Sequence, residues 1–162
     1  MSSNTEKPLV SVIMGVYNTK PEYLKQAVES ILAQTYDNLE FVIVDDGNRK
    51  DEIISYLHRI KQSDNRVKII VNEENIGLTR SLNKAIDHSR GKYIARMDSD
   101  DISLPDRLLK QVEYMEVHPE VCMTGTNTLS ITDEDEEGKR FCRGHMSDQR
   151  VCEIHLLYEN EG

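Results

Sequence analysis

Apolar blocks of two kinds alternate along most of this chain, and the alternation restricts the possible folds more than any other feature of the sequence. Short runs rich in β-branched residues, typical of strands buried on both faces, are separated by segments whose apolar residues recur at helical spacing. The strand-like runs lie at 9–16, 41–44, 67–71 and 93–97, and the helical patterns lie at 21–34, 53–60, 78–86 and 105–115. Strict alternation predicts an α/β fold, with a Rossmann-like, mainly parallel sheet flanked by helices.

In such a sheet the carboxyl ends of the strands lie along one edge, where ligands bind. Polar residues follow three of the predicted strands at this edge, in the stretches VYN (16–18), DDG (45–47) and DSDD (98–101). An aromatic ring such as Tyr17 can stack on a base, and a carboxylate such as Asp45 can accept the imide N–H of uracil. The Asp98-x-Asp100 pair offers oxygen ligands to Mg²⁺ or Mn²⁺, which can in turn hold a diphosphate.

Each of these features also has a purely structural explanation. Acidic residues after a strand form turns or favour the start of the next helix, and Tyr17 and Asn18 can be packing and turn residues. Asp101 can serve the helix start at Pro105 as much as a site. Crowded carboxylates at the end of a buried strand need counter-charge, for which a metal ion and Arg96 are the candidates. Their joint occurrence at one edge favours a ligand site.

Composition excludes several classes of protein. The formal net charge of −9 argues against a nucleic-acid partner. No apolar run reaches the roughly 18 residues of a membrane span, and three cysteines fit a reducing cytoplasm better than a disulfide framework. The sequence contains neither a glycine-rich phosphate loop nor a G-x-S-x-G elbow, so phosphates would have to be held through a metal ion.

The alternating pattern weakens after Val121. The stretch 121–132 predicts one or two strands, with Cys122 as a small core residue, and apolar spacing at 151–157 predicts a last short helix without a closing strand. Two C-x-x-H pairs can form a tetrahedral zinc site, although packing and surface positions explain them better. Their members are Cys142, His145, Cys152 and His155.

Four blocks, taken in order, resemble the family 2 glycosyltransferases: VSVIMGVYN, YLKQAVESILAQTYDNLEFVIVDDG, NIGLTRSLNKAI and GKYIARMDSDDISLPDRLLKQ. The resemblance runs from about Pro8 to Pro119. It implies a GT-A fold, a divalent cation (Mn²⁺ or Mg²⁺), and inverting transfer of a sugar from a nucleotide-sugar donor, usually UDP-linked. The acceptor would be a saccharide or a lipid-linked molecule, as in polysaccharide biosynthesis. We therefore expect a cytoplasmic enzyme, peripheral to the inner face of a membrane where its acceptor is lipid-linked.

Position by position, the resemblance assigns nucleotide-sugar binding to Val16, Tyr17, Asn18, Asp45, Arg80, Asn83 and Asp98, and metal binding to Asp98 and Asp100. Val16 and Tyr17 correspond to residues beside the base, and Asp45 to the carboxylate that reads uracil. Arg80 and Asn83 lie in a more variable block that contacts donor phosphate or sugar. The stretch 48–50 (NRK) departs from the family pattern, and we expect this to affect only the loop after the second strand.

An inverting transferase also needs a general base to take the proton of the acceptor hydroxyl. In this family the base lies downstream of the Asp-x-Asp motif, and no such block is recognisable here. The acidic stretch 133–137 is typical of a solvated surface. We expect the base to lie beyond residue 162, which leaves the catalytic residue unknown. The expected division is a flexible N-terminus (1–8), a donor-binding domain (9–125) and an incomplete start of the acceptor side (126–162).

Two other functions fit parts of this pattern. One is a nucleotide-sugar binding module that carries no catalytic base. The other is an Asp-x-Asp phosphotransferase with Asp98 as nucleophile, but such a nucleophile normally follows the first strand of its domain, and Asp98 follows the fourth predicted strand.

Overall fold

The computed structural model of the chain describes residues 7–126 and the backbone of 157–159. Strands and helices alternate through the described part, as the apolar pattern predicts. The elements are β1 (Val10–Val16), α1 (Pro21–Leu32), β2 (Leu39–Asp45), α2 (Asp51–Ser63), β3 (Val67–Val71), α3 (Leu78–Asp87), β4 (Tyr93–Arg96), α4 (Arg107–Val117), β5 (Met123–Thr124) and β6 (Leu157–Glu159).

The strands form one sheet in the order β3-β2-β1-β4-β6-β5. The first four are parallel, and β6 runs antiparallel to both of its neighbours, β4 and β5. The chain moves outward from β1 to β2 and β3 and then returns to place β4 on the other side of β1. The strand order therefore reverses between β1 and β4, and ligands bind beside the carboxyl ends at such a reversal.

Helices cover both faces of the parallel strands. On one face the larger core joins α1, α2 and α4 to the sheet through residues such as Val28, Leu57 and Leu108. On the other face a smaller core joins α3 to the sheet through Ala85, packed with Ile13 and Val44. Burial on both faces explains why the β1 and β2 sequences are continuous apolar runs, and it fixes these two strands as the rigid base of the site.

Two sequence predictions about the chain after α4 are wrong. Leu157 lies in β6, which pairs with β4 in an antiparallel register, rather than in a helix. The open edge of β4 would otherwise leave its backbone groups without strand partners, so pairing overrides a weak helical pattern in three residues. Cys122 is exposed and precedes β5, so it is not a core residue. The predicted helix at 151–156 and the two C-x-x-H pairs lie outside the described residues.

Candidate donor site

An open pocket of about 390 Å³ lies at the carboxyl ends of β1 and β2. Val16 and Asp45 are register partners at the last position of these two strands, so the loops that follow them leave the sheet side by side. The lining includes Tyr17, Asn18, Asn48, Arg49, Lys50 and Asn75. The Tyr17 residue is 55% exposed, which leaves its ring available to stack on a planar ligand.

The wall of this pocket depends on the close approach of two loops at Gly47. This residue has φ +76°, a conformation that side chains rarely adopt, and a Cβ here would lie 2.5 Å from the carbonyl carbon of Glu74. Glycine therefore lets the β3–α3 loop pack directly against the β2–α2 loop. Glu74 and Asn75 join the pocket lining as a result.

Asp45 is almost fully buried and is held by Asn48, three residues later. Its Oδ1 accepts the backbone N–H of Asn48 (3.0 Å) and one N–H of the Asn48 side chain (2.7 Å). The same side-chain nitrogen donates to the carbonyl oxygen of Val16 (2.7 Å), and the side-chain oxygen accepts the N–H of Asn18 (3.0 Å). Asn48 thus ties the loop after β1 to the loop after β2, a role that reaches well beyond its own loop.

Asp46 serves the scaffold of the pocket. Its two carboxylate oxygens accept hydrogen bonds from the side chains of Asn72 (2.8 Å) and Asn75 (2.9 Å) and from the backbone N–H groups of Ile76 (2.9 Å) and Gly77 (3.0 Å). Burial alone would raise the pKa of this carboxyl, but these donors outweigh it and hold the pKa below its ordinary value. Asp46 is therefore an anion that anchors the loop leading into α3.

The Asp-x-Asp segment follows β4, on the opposite side of β1 from Asp45 and Asp46. Arg96 forms a two-pronged ion pair with Asp98, with the nearest N–O distances at 2.9 and 3.0 Å, as expected for a local counter-charge. Asp100 is exposed, and no described residue forms a hydrogen bond or ion pair with it. The hydroxyls of Thr19 and Ser99 lie 2.6 Å apart and join the loop after β1 to this segment.

A second cation lies behind the Asp-x-Asp segment. Arg107, at the start of α4, is 4% exposed and donates from Nη1 to the carbonyl oxygen of Arg96 (3.3 Å). Burial lowers the pKa of its guanidinium to about 10, against the opposing effect of the Asp101 charge. Arg96 and Arg107 together supply positive charge to the end of β4, which helps to explain how this strand end tolerates three carboxylates in four positions. Sequence reasoning missed Arg107 because its spacing matches the apolar face of the helix.

The acidic groups fit a metal ion only in part. Among residues 7–126, no group of three or more His, Cys, Asp or Glu side chains is arranged as a metal site. Asp100 offers a carboxylate that no described residue engages, while the Asp98 carboxylate is engaged by Arg96. A divalent cation held here would take its remaining ligands from water and from a bound diphosphate, as Mg²⁺ commonly does.

Arg80 and Asn83 are exposed on α3 and do not line the pocket. Arg80 lies in the first turn of the helix, at the same edge of the sheet as the pocket, and Asn83 lies nearly one turn further on. The described contacts between α3 and the loop after β3 come instead from Lys84, which donates to the side-chain oxygen of Asn72 (2.7 Å), and from Ser81, whose hydroxyl accepts from the Asn72 side chain (3.1 Å). Among the described residues, no helix is both long and apolar enough to span a membrane.

Comparison with solved structures defines the class of fold. The mannosyltransferase PcManGT from Pyrobaculum calidifontis, in complex with GDP-Man and Mn²⁺, matches 76% of this chain and 37% of its own, with a TM-score of 0.67 and 25% sequence identity. The parallel sheet flanked by helices and the glycosyltransferase neighbours show that the chain has the GT-A fold.

Comparison with families and relatives is more specific. The glycosyl transferase family 2 model matches residues 11–157, and the chain therefore belongs to this family. An uncharacterized glycosyltransferase of Methanocaldococcus jannaschii is 46% identical over 116 residues, which are 72% of this chain and 40% of that protein. The amylovoran biosynthesis glycosyltransferase AmsE of Erwinia amylovora is 39% identical over 132 residues, 81% of this chain and 48% of its own. The chain thus spans less than half the length of these two relatives.

Proposed function

We propose that this chain binds a nucleotide-sugar donor together with Mn²⁺ or Mg²⁺, as the donor half of an inverting glycosyltransferase in polysaccharide biosynthesis. The observation that carries the proposal is the grouping of three polar strand ends at the one edge where strand order reverses. Each of three side chains has a counterpart in such a donor. The exposed ring of Tyr17 corresponds to the base, and the Asp45 carboxylate, held by Asn48, corresponds to the imide of the base. The Asp100 carboxylate, which has no described partner, corresponds to the metal-bound diphosphate.

Each residue has a distinct task in this proposal. Tyr17 stacks on the base beside Val16 and Asn18, and Asp45 accepts an N–H from the edge of the base. Asp100 binds the metal ion, which neutralises the charge that builds up on the departing diphosphate. Asp98 contacts the ribose or the metal once the donor competes with Arg96 for its carboxylate. Arg80, near the same edge, contacts a donor phosphate, and Asn83 supports the sugar side.

The acceptor half and the general base are proposed to lie outside the donor-binding domain, which we assign to 9–125. Inversion requires a base opposite the leaving diphosphate, and Asp45, Asp46 and Asp100 each have another role here. Asp45 and Asp46 are held by donors, and Asp100 is assigned to the metal ion. The acceptor is proposed to be a saccharide or a lipid-linked saccharide, met in the cytoplasm or at the inner face of a membrane.

Calorimetric titration of the 162-residue protein tests the proposal most directly. UDP, GDP and CDP would each be titrated with and without Mn²⁺, and we expect binding of at least one diphosphate to depend on the metal ion. The same protein should transfer little sugar to any acceptor, with slow donor hydrolysis as the residual activity. Equal binding with and without Mn²⁺ would remove the proposed role of Asp100. Efficient transfer by the 162-residue chain would show that the base lies within it.

A further inference from the structure

We propose that the end of α1 positions the Asp-x-Asp segment for its metal ion, through hydrogen bonds from Gln34 and Ser30 to the stretch 103–105. The proposal rests on the proposed function, because it assumes that Asp100 binds a divalent cation. Gln34 and Ser30 act through the segment rather than on the ion, so both are positioning residues. Leu104, a partner of Gln34, lies 70 positions further along the chain, so no local pattern in the sequence predicts the contact.

The side chain of Gln34 is buried and makes hydrogen bonds at both of its polar atoms. The residue lies just after α1 and is 7% exposed. Its side-chain nitrogen donates to the carbonyl oxygen of Leu104 (2.8 Å), and the hydroxyl of Ser103 and the carbonyl oxygen of Ser30 each lie 3.1 Å away. Its side-chain oxygen accepts the N–H of Leu108 (3.1 Å) in α4. A flipped amide would set oxygen against two carbonyl oxygens and nitrogen against an N–H, so the hydrogen-bond network selects one orientation.

Ser30 and Thr35 hold the same stretch through its backbone. The Ser30 hydroxyl accepts the N–H of Ser103 (3.0 Å). The backbone N–H and the hydroxyl of Thr35 both donate to the carbonyl oxygen of Pro105 (2.8 and 3.1 Å). Residues 101–104 form neither helix nor strand, so the buried polar groups of Ser103 take their partners from the end of α1 instead.

The Asp-x-Asp segment is therefore fixed at three places and open between them. At its entry, the N–H of the buried Met97 donates to a carbonyl oxygen of β1 (3.0 Å). In its middle, Ser99 meets Thr19, and at its exit the end of α1 holds Ser103. The exposed Asp100 lies between the last two places, with at most about 10 Å of extended backbone separating it from the exit.

A fixed exit favours metal binding because it reduces what the ion has to order. Mg²⁺ requires near-ideal octahedral geometry, so the carboxylate that binds it has to be held in place. Each further residue that must be ordered on binding weakens the affinity, because its conformational freedom is lost. With the exit held, the ion orders only the residues between Ser99 and Ser103. Without it, the loose stretch would extend to the start of α4 at Arg107.

The Gln34→Met variant gives the first test, because it keeps the length of the side chain and removes its hydrogen bonds. Mn²⁺ would be titrated by electron paramagnetic resonance in the presence of UDP, or of GDP or CDP where that binds more tightly. We expect Mn²⁺ binding to weaken roughly 5- to 30-fold, the factor expected when one further residue has to be ordered on binding. Unchanged Mn²⁺ affinity in folded Gln34→Met protein would overturn the role of Gln34.

The matched control is Tyr36→Phe. The hydroxyl of the buried Tyr36 donates to the carbonyl oxygen of Pro8, which lies at the amino end of the sheet, away from the Asp-x-Asp segment. Urea unfolding should show a loss of stability in both variants, whereas Mn²⁺ affinity should fall only in Gln34→Met. An equal fall in the two variants would mean that metal binding follows overall stability, and it would overturn the proposal.

The Ser30→Ala variant separates the segment exit from α4. Ser30 holds Ser103, whereas the bond to the N–H of Leu108 in α4 comes from Gln34. We expect Mn²⁺ binding to weaken roughly 2- to 10-fold in Ser30→Ala, and Ser30→Thr, which keeps the hydroxyl, should restore most of the affinity. A loss in Gln34→Met with none in Ser30→Ala would assign the effect to α4 and overturn the role of the exit.

Titration of the wild-type chain separates this proposal from the proposed function. The absence of metal-dependent binding of UDP, GDP and CDP in the wild type would overturn both together. Metal-dependent binding in the wild type, with unchanged Mn²⁺ affinity in Gln34→Met and Ser30→Ala, would overturn the positioning alone. Ser30→Ala removes a single hydroxyl, so it decides the matter even where Gln34→Met does not fold.

Discussion

Two acidic pairs lie at the same edge of the sheet and are held in opposite ways. At the end of β2, Asp45 and Asp46 are buried, and protein donors surround them. At the end of β4, Asp98 is partly exposed in an ion pair with Arg96, and Asp100 is exposed with no described partner. Asp46 in the first pair has four protein donors, while Asp100 in the second pair has room for a ligand.

The difference follows from how each strand end is covered. The β3–α3 loop closes over Asp46 and supplies its four hydrogen bonds, which makes the burial of charge tolerable. The segment after β4 stays open to solvent, where a charge needs no fixed partner. We therefore expect the β2 pair to govern stability and the β4 pair to govern metal-dependent binding.

The largest effect is expected for Asp46→Ala. The substitution removes the acceptor of four hydrogen bonds and leaves the buried side-chain donor of Asn72 and the partly buried N–H of Gly77 without this acceptor, which should lower the free energy of unfolding by about 3–5 kcal/mol. Urea unfolding followed by circular dichroism measures the change. Asp37→Ala is the control, because Asp37 is exposed and its described ion pair is with the exposed Lys7, and it should cost less than about 1 kcal/mol. Equal losses in the two variants would remove the distinction between the acidic pairs.

The sequence predicts the fold well because the continuous apolar runs of β1 and β2 indicate that both faces of these strands are buried. The α/β class, the four parallel strands and the GT-A fold implied by the resemblance are confirmed. The ends of the helices are predicted less well than their presence. The α4 helix begins at Arg107 rather than at Pro105, and α1 ends at Leu32 rather than at residue 34. β6 was missed because three residues paired to a distant strand carry almost no local signal.

The candidate site could be predicted by position but not by role. The resemblance assigns a role to Asp45 and none to Asp46, yet the structure makes Asp46 an internal anchor, while Asn48 holds Asp45. Asn48 was interpreted as a loop residue because its partners, Val16 and Asn18, are about 30 positions away in the sequence. The turn expected after β2 is present, because Asn48 donates to Asp45, and the same Asn48 side chain also holds the loop after β1 that lines the pocket.

The next effect in size concerns Asp100→Ala. Removal of the proposed metal ligand should weaken UDP binding in Mn²⁺ by roughly 10- to 100-fold and leave binding without metal unchanged. Calorimetry at matched Mn²⁺ concentrations measures this, and urea unfolding should differ from that of the wild type by less than about 0.5 kcal/mol. Asp87→Ala, an exposed change at the far end of α3, is the matched control. A stability loss with intact metal dependence would assign Asp100 to the scaffold instead.

A smaller effect is expected from acid. Because the pKa of Asp46 is held below its ordinary value of 3.8, the folded state binds fewer protons there than the unfolded state. The resulting stability is complete above that ordinary value and is lost as the pH falls through the folded pKa. The Asp46→Asn variant should therefore lose less stability between pH 6 and pH 3 than the wild type, by on the order of 1 kcal/mol. Parallel acid profiles for the two proteins would contradict this role.

The smallest effect is expected at Arg96. It tests whether Arg96 orders the carboxylates after β4 or only offsets their negative charge. The ion pair with Asp98 is more than one third exposed on both sides, so Arg96→Gln should change the free energy of unfolding by less than about 1 kcal/mol. Loss of the cation leaves Asp98 unpaired and makes the segment more negative, which should tighten Mn²⁺ binding about two- to fivefold. Manganese titration by electron paramagnetic resonance measures the affinity, with the exposed Arg59→Gln on α2 as the control. Weaker Mn²⁺ binding in Arg96→Gln would mean that Arg96 orders the segment for the metal, and the β4 pair would then be as organised by the protein as the β2 pair.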